Sequence, residues 1–166
     1  MVQVNSETGF YMGKVHQKND NLAVSDCVPT ATANLLFFHQ KPSTTIDKVT
    51  DDILCHPSYN GTNHGFKTPV VPSALQQILR KYFGNQIKVR LYSILPEDSI
   101  PNGLKPYNKK VEIGYSAATP FIAISNVEGV QHAWLGVGDP VKRLDADGHV
   151  HSELYPIMGF LGIEGL

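Results

Sequence analysis

Hydrophobic periodicity changes once along this chain, near Gly84, and that single change constrains the fold more than any other feature. Before Gly84, apolar residues recur at helical spacing in three stretches. The first is SDCVPTATANLLFFHQ, where Val28, Ala31, Leu35 and Phe38, with Ala33 and Leu36 beside them, form a broad apolar surface. Ser25 and Asp26 suit an N-cap, and Pro29 is tolerated in a first turn, where its missing N–H has no partner to lose. A helix this apolar is expected to be buried on most sides. A second helix is expected after Ser43, with Ile46, Val49, Ile53 and Leu54 inward and Asp47, Lys48, Asp51 and Asp52 outward. A third runs from about Pro72 to Phe83 on Leu75, Ile78, Leu79 and Tyr82, with Gly84 as its stop.

After Gly84 the period shortens to two. Ile87, Val89 and Leu91 alternate with polar residues, and PFIAIS, HAWLGVG and HVHSELYPIMGFLGI read as strands. Asn-Val-Glu-Gly and Asp-Ala-Asp-Gly separate them as turns. A short strand is also expected within Phe10 to Val15, and 56–70 reads as loop. Helices first and strands second predict an α+β domain with segregated layers, one domain over 1–166. No repeat, GxGxxG or P-loop pattern interrupts it.

Composition narrows the function classes. Of 166 residues, 42% are apolar, enough for a core, and the formal charge is −1. A near-neutral chain without a basic run offers no electrostatic grip on nucleic acid or anionic lipid. Its longest apolar runs fall far short of the roughly 18 residues of a membrane span, so no membrane insertion is expected. The N-terminus MVQVNSETGFYMGK lacks the apolar core of a signal peptide. Low charge and abundant Asn, Ser, Thr, Gly and Pro point toward an extracellular or cell-surface setting, with other domains of a longer chain as potential partners.

The two cysteines, Cys27 and Cys55, do not form a zinc-ribbon pattern. Cys27 opens the first helix. A thiol there sits at the positive end of the peptide dipoles beside backbone N–H groups, a setting that favours thiolate and can also stabilise an oxyanion. Such a nucleophile needs an imidazole. His39 is on the same helix, twelve residues and about 18 Å further on, too far to pair with Cys27. His16, His56 and His64 fall in weakly patterned segments. His132 opens the apolar strand AWLGVG, which would hold it rigidly at a cleft. His149 and His151 share one strand face, but no spacing recommends further ligands, and no metal or cofactor is expected.

These residues carry a resemblance. DCVPTATAN followed by an apolar helix, with VQHAWLGVG about a hundred residues later, resembles papain-like cysteine peptidases of the bacterial streptopain and C39-like branch. The resemblance implies a papain-like fold and hydrolysis of peptide or isopeptide bonds in a peptide or protein substrate. It also implies that Cys27 is the nucleophile and His132 the general base and acid. For the oxyanion side chain the family has a Gln about six residues before the Cys; Asn21 holds that place here, and Gln17 offers the longer amide. The residue that orients the imidazole follows the His by about fifteen to twenty positions in the family, which points to Asp147. Asp147 falls opposite His132 if the hairpin turns at Gly138-Asp139-Pro140. If the chain turns at Asp145 to Gly148 instead, Asp145 and Asp147 are turn formers, and Asp145 or Asp139 also stays open as the partner of His132. The same thioacyl chemistry serves a cell-wall amidase or acyl transferase, and a catalytically inactive peptide-binding domain is the alternative outside enzymes.

Overall fold

A computed structural model of the chain describes residues 2–13, 26–57, 71–93, 105–106, 120–127, 130–138 and 141–166. The order is β1 (Gln3–Val4), β2 (Tyr11–Met12), α1 (Cys27–Phe38), α2 (Ser43–Leu54), α3 (Val71–Phe83), β3 (Lys88–Ser93) and β4 (Lys105–Pro106). Then come β5 (Phe121–Val127), β6 (Val130–Val137), β7 (Lys142–Leu144), β8 (Val150–His151) and β9 (Ile157–Glu164). The α+β class and its helix-then-strand order follow from the single change of period.

Within the described residues, one sheet runs β4-β3-β9-β5-β6-β7-β8. Its pairings are antiparallel except β3 with β4. The segment expected as one continuous strand from His149 to Ile163 is two strands in different places. Val150–His151 lies at the sheet edge, whereas Ile157–Glu164 runs centrally between β3 and β5. Pro156 explains part of the break, because it has no N–H to give to a ladder. The N-terminal strand is also shorter than expected and belongs to a separate hairpin with β1.

Helix α1 packs against β5 and β6 and touches α2. Its residues from Cys27 to Leu36 are all buried, so almost no face is left for water. Three of them are polar (Thr30, Thr32 and Asn34), and buried groups of this kind usually find partners, although the Thr30 hydroxyl has no hydrogen bond among the described residues. Thr32 returns its hydroxyl to the Val28 carbonyl at 2.8 Å. Asn34 does something further. Its Oδ1 accepts from the Tyr11 N–H (2.9 Å), and its Nδ2 donates to the Tyr11 carbonyl (3.1 Å). One side-chain amide thereby takes the place of a neighbouring strand and fastens the N-terminal hairpin to α1.

The two faces of the sheet hold different cores. Ala133 and Leu135 of β6 join Ile122, Ile124 and Leu144 under the helices, together with Leu36, Ile46 and Leu79. Trp134, between them in sequence, points to the other face with Phe121, Ala123 and Phe160. No helix among the described residues is long and apolar enough to cross a membrane.

Asn34→Ala should cost about 3 kcal/mol in urea unfolding, since it strands both backbone groups of Tyr11 in a buried setting. A loss below about 0.5 kcal/mol would show that water replaces the amide freely.

Candidate active site

Cys27 is the first residue of α1, with Asp26 at the N-cap position. The Asp26 side chain makes no cap bond; its backbone carbonyl accepts from the Thr30 N–H at 3.0 Å. The sulfur is buried, with the residue only 4% exposed, and it forms no disulfide. Burial alone would be the ordinary state of a structural cysteine. What sets Cys27 apart is its neighbour.

His132 hydrogen-bonds the Cys27 side chain from the start of β6. Its backbone is registered by direct pairing with Ser125 of β5. The buried Ser125 hydroxyl in turn accepts from Trp134 Nε1 at 2.9 Å, which satisfies the indole within the sheet's second core. On its other side the imidazole gives Nε2 to Asp145 Oδ1 at 2.6 Å. That leaves Nδ1 as the ring nitrogen for sulfur. The expected Cys–His pair, more than a hundred positions apart, is assembled.

The third position is not held by Asp147. The β6–β7 register pairs Leu135 with Leu144, Gly136 with Arg143 and Val137 with Lys142, so the hairpin does turn around 138–141. Extending that register three places would bring 147 opposite 132. The ladder stops at Leu144, however, and the chain turns again at once: the Gly148 N–H donates to the Asp145 carbonyl (3.0 Å), with Gly148 at φ +75°. The two turns treated as alternatives in the sequence both occur. Asp147 becomes a turn residue, its carboxylate accepting from the His149 N–H (2.9 Å) and from His151 Nε2 (2.8 Å). Asp145, one place beyond Leu144, falls on the same strand face as Trp134 and His132, at a diagonal that a carboxylate can bridge. Asn21, Gln17 and Asp139 lie outside the described residues.

Asp145 is held from three directions. Its Oδ1 also accepts from the Ala146 N–H (2.7 Å), and its Oδ2 accepts from Arg143 Nη1. Both Arg143 and Asp145 are 7% exposed. Arg143 was not a sequence candidate. Its signal is faint but readable: Asp145, one place past the end of β7, is two positions from Arg143 and so shares its face, whereas Lys142 is exposed. Tyr155, also unforeseen, stands edge-on to His132 with ring centroids 6.0 Å apart.

Electrostatics follow from this packing. For His132, burial is the largest influence and by itself lowers the pKa. The hydrogen bonds to Asp145 and Cys27, with the charges of both, outweigh it and raise the value to about 10. Asp145 is likewise opposed by burial, but His132, the Ala146 amide and Arg143 bring it down to about 2. At neutral pH the pair is therefore imidazolium and carboxylate, with the Arg143 guanidinium on the second carboxylate oxygen.

The two histidines after the turn do not converge on a metal position. His151 is taken by Asp147, and His149 Nε2 lies 3.8 Å from Glu7 and 3.4 Å from Asn5 Nδ2. Among the described residues no group of three or more His, Cys, Asp or Glu side chains could hold a metal ion. Cys55 caps the C-terminus of α2 and is exposed.

Comparison with models of known protein families, with curated proteins and with solved structures gives no match.

The pair's contribution to stability has a defined pH window. The folded state holds the His132 proton more tightly than an ordinary imidazole at 6.5, so that contribution is complete below about 6.5 and lost as pH rises toward 10. Asp145 runs the other way, complete above 3.8 and lost as pH falls toward 2. The stability difference between wild type and Asp145→Asn should therefore be largest between about pH 4 and 6.5 and shrink on either side. A difference that stays flat from pH 3 to 9 would contradict this assignment.

Proposed function

We propose that this chain is a cysteine peptidase of papain-like type, in which Cys27 is the nucleophile, His132 the general acid and base, and Asp145 the residue that orients His132. The observation that carries the reading is the position of one imidazole between a helix-start thiol and a buried carboxylate. Each member by itself has an ordinary structural explanation. A sulfur, an imidazole and a carboxylate in sequence are the parts that nucleophilic catalysis at a carbonyl requires.

The steps balance without a cofactor. The Cys27 sulfur attacks the carbonyl carbon of the scissile amide, and the carbonyl oxygen takes the negative charge. The N-terminal end of α1, with the Cys27 amide, favours that oxyanion. His132, protonated at the outset, gives its proton to the departing nitrogen as the C–N bond breaks, leaving a thioester on Cys27. The now neutral imidazole removes a proton from water, which attacks the thioester. Collapse of the resulting tetrahedral species breaks the C–S bond, releases the carboxylic acid and expels the Cys27 thiolate beside the His132 ring that took water's proton, which restores the starting pair. Asp145 keeps the ring oriented throughout and balances its charge. The papain-like fold assignment is supported by the same placement: a nucleophile at the start of a helix that packs on an antiparallel sheet, with the base at the head of a sheet strand.

Selective alkylation tests the pair directly. A thiol of ordinary pKa near 8.5 is only about 0.3% ionised at pH 6. Exposure favours Cys55, yet iodoacetamide at pH 6 should modify Cys27 at least about tenfold faster than Cys55, as expected for a thiolate held by an imidazolium. Cys27→Ala should also abolish hydrolysis of casein. Equally slow labelling of both thiols would favour a peptide-binding domain without catalysis. Hydrolysis of peptidoglycan in place of casein would move the substrate to cell-wall amides.

A further inference from the structure

Arg143 is a charged side chain almost wholly removed from water, and burial of that kind is stable only when the charge is paired and its donors are used. Three contacts fix it. Nη1 donates to Asp145 Oδ2, Nε donates to the Glu153 carbonyl at 2.9 Å, and the guanidinium carbon lies 4.1 Å from the centroid of the Tyr155 ring. Tyr155 meets the His132 ring edge-on. Arg143 thus reaches the imidazole by two routes, a carboxylate and an aromatic ring.

The geometry of the carboxylate gives this arrangement a consequence. His132 and the Ala146 amide both use Oδ1, so both act on the same side of the carboxyl group. Arg143 takes Oδ2. Because a carboxylate is planar, fixing the second oxygen stops rotation about the Cβ–Cγ bond and fixes the direction of the first. A lysine ammonium, a single point charge on a flexible stem, could not bridge Asp145 and Glu153 while covering Tyr155. We propose that Arg143 is a positioning residue for His132, acting through Asp145: the guanidinium, anchored by the Glu153 carbonyl and the Tyr155 ring, locks the carboxylate so that the imidazole stays turned to Cys27. The inference rests on reading Cys27 and His132 as the reacting pair.

The charged and titratable groups that the structure records around the pair are Arg143 from β7, Cys27 from the start of α1, and Tyr155 from the segment before β9. With Asp145 free to turn away, His132 loses the hydrogen bond and the charge that Asp145 sets against burial, and its pKa falls relative to the wild type.

The test uses the intact chain with Arg143→Met and Arg143→Lys, iodoacetamide as the probe of Cys27, and NMR of the His132 ring as a readout that loss of stability alone would not move. In Arg143→Met, alkylation of Cys27 at pH 6 should fall about 100-fold, as ångström-scale misplacement of a reacting group does, with Cys55 unaffected. His132, protonated through the neutral range in wild type, should titrate at a lower pH in this variant. Arg143→Lys should give intermediate values of both. Wild-type alkylation and an unmoved His132 titration in Arg143→Met would overturn the proposal; should that variant fail to fold, the same result in Arg143→Lys would overturn it. Equal labelling of Cys27 and Cys55 in the wild type would count against the peptidase reading, whereas an unmoved His132 titration in the variants counts against Arg143 alone.

Discussion

The Asp145 carboxylate is the interaction on which the site depends. It joins an imidazolium from one strand, a guanidinium from the next and a backbone amide from the turn that follows, in a place nearly closed to water. Burial opposes ionisation of both Asp145 and His132, so neither could stay charged alone. Together they cancel, and the low local dielectric that penalises each ion separately strengthens the attraction between them. Removing one member would leave an uncompensated buried charge, which is why such groups behave as a unit.

That unit is positioned by the fold's least regular parts. The turn carrying Asp145 is clasped by the N-terminal hairpin: Asn5 Nδ2 donates to the Asp147 carbonyl (3.0 Å), Thr8 Oγ1 to the Gly148 carbonyl (2.6 Å), and the Gly13 N–H to the Ala146 carbonyl (2.7 Å). Gly13 also lies against the start of α1. A Cβ there would meet Asp26 Cβ at 2.9 Å and Thr30 Oγ1 at 3.3 Å. The hairpin therefore touches both the turn that supplies the carboxylate and the helix that supplies the thiol. Asn34 fastens the same hairpin to α1 from behind. A segment in which the sequence offers only one short strand is what ties the two halves of the site together.

Particular residues show where sequence reasoning holds and where it stops. Cys27 and His132 were legible because each depends on its own neighbourhood, a helix start and the head of an apolar strand. The β6–β7 hairpin was one of two turn positions that the sequence left open. Asp147 was the wrong partner because the register was extended one turn too far; a strand of three residues followed by a second turn satisfies the same composition. Arg143 and Tyr155 were missed because a cation in a polar-looking strand reads as solvated until a buried carboxylate is known to face it. The break between β8 and β9 was missed because periodicity reports alternation and not which neighbour a strand will choose.

The sequence by itself determined the three helices, the change to strands after Gly84, and the presence of a thiol and an imidazole at the ends of rigid segments. These are set by dihedral preferences and by burial periods that extend over only a few residues. Tertiary structure decided which aspartate meets His132, that Arg143 hydrogen-bonds that aspartate, and that the sulfur lies buried beside the ring. Those outcomes turn on where β7 leaves its ladder, and the contacts that hold that turn come from Asn5 and Thr8, about 140 positions away in the chain. Local preference cannot carry information over that distance; only the closed fold brings the two ends into contact.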